Sequence, residues 1–162
     1  MRYWEVLLPY AAALGNTTFA QWLGQSTWRI AGLLTVHLFG LTMLLGSVIV
    51  SSLHLLGLFL RQKPVAEMRR DVRPVMLTGL AVMMASGALI FTGGAEAYYM
   101  GYWFRLKMVL LLVALLFHFT VYRVVTSAQD GRFHPAMYRV TGALTLLLWF
   151  AVGCAGRAIA FF

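Results

Sequence analysis

Residues 30–50 and 74–95 each run without an aspartate, glutamate, lysine or arginine. A bilayer core needs roughly 20 apolar residues as a helix, so each run is long enough to cross one. A third run covers 103–122, with Arg105 and Lys107 near its start and Arg123 at its end, where long basic side chains can snorkel to a surface. A fourth lies between Arg139 and Arg157. These runs predict an all-α fold: an integral membrane four-helix bundle forming one domain over 1–162, with spans at about 28–58, 74–95, 103–124 and 138–160. Pro74 suits the first turn of the second span, and Pro64 can open a short surface helix before it.

Composition fits that reading. Hydrophobic residues make up 61% of the chain and charged ones 11%, against roughly 45–50% and about 25% in soluble domains. A net charge of +8 would suggest nucleic acid in a soluble protein, but here the basic residues punctuate apolar runs, so no nucleic-acid partner is expected. Membrane lipids are the expected surroundings. The side holding the 61–73 and 123–139 connections carries eight Lys and Arg, and the other side five. The positive-inside rule then puts both connections in the cytoplasm and both termini outside. Residues 1–26 read as an interfacial helical segment rather than a signal peptide, because Pro9 interrupts the apolar stretch and Glu5 sits in its flank. Trp4, Tyr10, Phe19 and Trp22 would anchor it, with Ser26 or Thr27 capping the first span.

Small residues recur at helical spacing: Gly40, Ser47 and Ser51 on the first span, Gly79, Ser86 and Gly94 on the second, Gly142, Gly153 and Gly156 on the fourth. Such faces allow either close helix packing or a slot for a flat cofactor. On the third span Lys107, Leu111, Ala114, His118 and Tyr122 form one stripe. Ionisable groups facing lipid are costly, so this stripe is expected to face the bundle interior.

His37 and His118 lie inside apolar runs. A neutral imidazole is the usual axial ligand of a membrane haem, which makes these two the candidate ligands of a b-type haem iron. Arg105 and Lys107 are candidates to meet its propionates. The plainer alternative is a buried histidine hydrogen-bonded to a carbonyl or hydroxyl. Depth argues against a bis-histidine pair: at ~1.5 Å per residue, His37 lies roughly 12 Å below Arg29 and His118 roughly 22 Å below Trp103. His54 reads as an interfacial group at the inner end of the first span, and His134 as a residue of an aqueous connection. Cys154 is the single cysteine, so neither an internal disulfide nor a covalent C-x-x-C-H haem site can form.

The segments Trp22-Leu23, His37-Leu38-Phe39-Gly40, Leu53-His54-Leu55-Leu56-Gly57, Ser86-Gly87-Ala88-Leu89-Ile90-Phe91 and Phe104-Arg105-Leu106-Lys107-Met108 together resemble a family of four-helix bacterial inner-membrane proteins with no assigned function. Ser52 and His54 stand where that family usually shows an acidic residue and an arginine. More distantly, His37, Lys107 and His118 resemble a constellation of the four-helix membrane protoporphyrinogen oxidases, which bind haem b, and His37 and Lys107 are similar to residues of the copper-resistance D membrane domain. These resemblances imply a multi-pass inner-membrane protein with haem b or metal handling, working by electron transfer or haem-dependent redox chemistry, with a quinone or porphyrin reaching it from the bilayer. The residues leave open a non-catalytic subunit that packs on other membrane subunits, and a copper permease domain.

Overall fold

The computed structural model describes Val6, residues 8–128 and residues 132–161. Every regular element among them is helical. Two short helices, α1 (Leu8–Gly15) and α2 (Thr18–Gly24), form the N-terminal segment. The Thr17 hydroxyl caps α2 by accepting from the Ala20 amide at 3.3 Å, which satisfies one of the amides a helix start leaves unpaired. Tyr10, Phe19 and Trp22 are exposed on these helices, whereas Trp4 lies outside the described residues. Arg29 stacks over the Trp22 ring at 4.1 Å and donates to the Trp22 carbonyl, tying the segment to the next helix.

Four helices are long and apolar enough to cross a membrane. They are α3 (Thr27–Leu55), α4 (Val65–Thr92), a composite third span, and α8 (Pro135–Ala158). The third begins as α6 (Tyr102–Phe117), passes through a π-helical turn (His118–Tyr122) and ends as α7 (Arg123–Ser127). A short helix, α5 (Ala95–Met100), links α4 to α6. Ser26 occupies the N-cap of α3 without a side-chain hydrogen bond.

The second span departs from the sequence reading. Helix α4 starts at Val65 with Pro64 as its N-cap, so the expected surface helix and the expected span are one continuous element with Pro74 inside it. An interior proline removes one backbone hydrogen bond, here to the carbonyl of Arg70. Arg70 is exposed at the polar end of the helix, where water can serve that carbonyl, so the helix continues. The first span ends at Leu55, three residues before the expected boundary; Gly57 turns the chain with a φ of 74°, a conformation that costs glycine little.

Glycines set the packing. A Cβ on Gly79 would lie 2.7 Å from the Leu44 amide nitrogen, and one on Gly40 would lie 2.9 Å from that of Met83. Helices α3 and α4 therefore cross with their backbones in contact, as small-residue interfaces in membranes do. Gly142 gives α8 the same approach to α3, where a Cβ would sit 2.9 Å from the Ser52 carbonyl oxygen. Around the bundle α4 packs on α3, α3 on α8 and α8 on α6, while the backbones of α4 and α6 stay apart and the two helices meet through the stacked rings of Phe91 and Phe104, 5.2 Å between centroids, and through α5 and α7. The core consists of Leu44, Val48, Met76, Met83, Leu111, Ala114, Trp149 and Val152. Leu38, Phe39, Leu112, Leu116, Leu147 and Phe150 point outward and are exposed, the surface a helix presents to lipid.

Candidate functional site

Helix α3 carries His37 half-buried on its α4 side. The imidazole Nδ1 lies 2.9 Å from the hydroxyl oxygen of Ser86. The same hydroxyl lies 2.6 Å from the Val82 carbonyl. With its one proton given to that carbonyl it accepts from His37, and in that tautomer Nδ1 carries hydrogen and Nε2 holds the lone pair. Gly87 makes the approach possible, since a Cβ there would stand 3.1 Å from His37 Cε1. The small-residue face of α4 thus serves here as a seat for a histidine.

Lys107 lies in the same half of the bundle. Its side chain crosses α8 at Gly156, where a Cβ would meet Cε and Nζ at 3.4 Å. Among the described residues it has no ion-pair or hydrogen-bond partner. Arg105, half-buried two residues nearer the helix start, donates to the Met100 carbonyl at 3.2 Å. Other basic groups on this face are occupied by aromatic rings, Arg29 by Trp22 and Arg157 by Phe161 at 4.6 Å. Arg2 lies outside the described residues.

His118 is buried at the start of the π-helical turn. It stacks on Tyr122 with ring centroids 4.5 Å apart and meets the Trp149 ring edge-on at 6.5 Å. Its Nδ1 is buried without a hydrogen-bond partner. The Tyr122 hydroxyl bonds to Ser51 at 2.5 Å, which fixes the level of this group along α3. Ser51 is fourteen residues beyond His37, ~21 Å along a helix, and His118 stands about one turn, ~5 Å, back from Tyr122. The two histidines therefore differ by ~15 Å in depth, whereas two axial nitrogens at ~2 Å from one metal would be about 4 Å apart. His37 and His118 are not brought to one iron. The depth mismatch legible in the sequence is a property of the folded bundle.

The remaining histidines have partners. His54 is buried and donates through Nε2 to the Lys63 carbonyl at 2.9 Å, pinning the connection rather than lying open at the interface. His134 caps α8, its Nδ1 accepting from the Ala136 amide at 3.3 Å. Among the described residues no three His, Cys, Asp or Glu side chains come together as a metal cage. The role of Ser86 as partner to His37 was not apparent in the sequence. Its only signal was a lone hydroxyl on an otherwise apolar, small-residue face.

Residues 13–162 match the family of unknown function DUF6644. No curated protein and no solved structure matches the chain.

Proposed function

The chain belongs to DUF6644, a family of unknown function, and we propose that it is a membrane protein that holds one b-type haem on His37 for electron transfer or haem-dependent redox chemistry within the bilayer. The observation that carries this reading is the state of the His37 ring. With Ser86 accepting from Nδ1, Nε2 has the lone pair a metal needs, and an outer partner of this kind is what orients ligating histidines. The donor set fits a haem with a single protein ligand and does not fit a bis-histidine one. Bound haem would supply one-electron chemistry at iron.

The chain's own residues provide the rest. Lys107, unpaired among the described residues, is the first candidate to meet a propionate. Arg105, two residues closer to the helix start and bonded to the Met100 carbonyl, is the second. Under the positive-inside orientation the protein sits in a bacterial inner membrane with both termini outside, and His37 lies in the outer half.

The test is a visible spectrum of detergent-purified protein supplied with haem. The expected result is a Soret band and a reduced α-band that His37→Ala abolishes and His134→Ala leaves intact. A wild-type protein without Soret absorption, or a band indifferent to His37→Ala, overturns the reading. The chain would then be taken as a non-catalytic subunit of a larger membrane assembly.

A further inference from the structure

On the opposite, basic face a cleft opens between α4 and the π-helical turn. It is lined by Arg69, Arg73 and Arg123, by Met76, Leu77 and Phe119, and by the buried rings of His118 and Tyr122. Its cavity volume is about 60 Å³, too small for a drug-sized ligand but enough for a few waters or one compact anion. Three guanidinium groups line it, no carboxylate does, and none of the three forms an ion pair among the described residues. The nearby Asp71 and Glu67 are engaged by Lys63 instead. His118 contributes to the wall, only 6% exposed, with a ring nitrogen that no protein group satisfies. A buried donor or acceptor left unpaired is costly, so a polar occupant within reach would be stabilised there.

The site has an apolar half as well. Met76, Leu77 and Phe119 line the cleft, and at this end of the bundle the backbones of α4 and α6 stand apart, the ring stack of Phe91 on Phe104 that joins the two helices lying at the other end. A ligand that matches both halves carries a compact anion on a hydrocarbon tail.

We infer that this cleft binds the phosphate headgroup of an anionic membrane lipid, which enters sideways between α4 and α6. Arginine suits the role because its planar fork pairs with phosphate oxygens two at a time, and basic pockets between membrane helices are known to hold such headgroups. The tail lies along Leu77 and Phe119.

Native mass spectrometry of the detergent-solubilised full chain, titrated with phosphatidylglycerol or phosphatidylcholine, tests this. Wild type should retain one phosphatidylglycerol in preference to phosphatidylcholine by about tenfold. Arg69→Gln with Arg123→Gln should erase the preference, whereas Arg61→Gln with Arg139→Gln, an equal loss of charge elsewhere on the same face, should keep it. Leu77→Trp, which fills the cleft without removing a charge, should weaken retention and guards against misfolding of the arginine variants. Equal retention in both double variants, or no preference in wild type, would mean diffuse attraction to the basic face and overturn the assignment. Displacement of the lipid by millimolar inorganic phosphate would also overturn it, since the site would then read a free anion.

Discussion

Nδ1 of His37 and the hydroxyl of Ser86 are hydrogen-bonded across 2.9 Å, joining two spans through residues 49 positions apart in the chain. Ser86 also reaches the Val82 carbonyl, and with its proton there it accepts from His37. Removing the hydroxyl frees the ring to rotate and to change tautomer. Ser86→Ala should therefore weaken haem retention on the order of 10- to 100-fold, the usual cost of losing an outer partner. Haem titration followed at the Soret band checks this. His118→Ala, ~15 Å deeper in the bundle, should leave the band position unchanged.

Gly79 and Gly46 predict opposite outcomes for the same substitution. A Cβ on Gly79 meets backbone at 2.7 Å, while nothing stands within 4 Å of one on Gly46. Gly79→Ala must force α3 and α4 apart, at a cost of roughly 1–3 kcal/mol for overpacking. Gly46→Ala should be neutral or slightly stabilising, since alanine constrains the unfolded chain more than glycine does. Thermal denaturation in one detergent compares the two.

The orientation proposed from the charge bias is open to labelling in intact cells. Cys154 is exposed, so it is first replaced by serine. Single cysteines at Gln62 and Glu96 then report opposite faces, and a membrane-impermeant thiol reagent should modify the Glu96→Cys protein alone. Modification of Gln62→Cys alone inverts the topology.

The four spans are legible because lipid leaves the chain little choice: a run free of charge must be helical and must be long enough. Where water can share the work, the sequence misleads. Pro74 looked like a helix start because proline is usually excluded from interiors, yet at the polar end of α4 the lost hydrogen bond falls on an exposed carbonyl. The histidines divide in the same way. That His37 and His118 lie at different depths follows from counting residues along helices, but the seat of His37 depends on a serine and a glycine of another helix, which no local pattern joins to it. The π-helical turn beginning at His118 has no signal in the sequence, and the arginines of the basic cleft were indistinguishable from topological charges until the fold set Arg123 beside Arg69 and Arg73.

Lys63 gives a pH dependence whose sign can be worked out. Its hydrogen bond from Nζ to Asp71, with Glu67 at 3.6 Å, raises the ammonium above the ordinary lysine value. A raised folded value contributes stability that is complete below the unfolded value of ~10.4 and is lost as pH rises through the folded one. Lys63→Met should therefore flatten the alkaline limb of a thermal-stability profile. The pair is exposed, so the effect should be small and should fade in high salt.

Pro74→Ala tests the account of α4. If the helix tolerates Pro74 because water takes over the Arg70 carbonyl, alanine restores an amide donor to that carbonyl without disturbing any packed contact, because both positions are exposed. Stability should rise, though by less than the ~3 kcal/mol that an interior proline costs where no water can reach. Hydrogen exchange at residues 70–76 should slow in the variant as the added bond protects the turn. A loss of stability would mean instead that the bundle depends on the proline for the shape of α4 at this point.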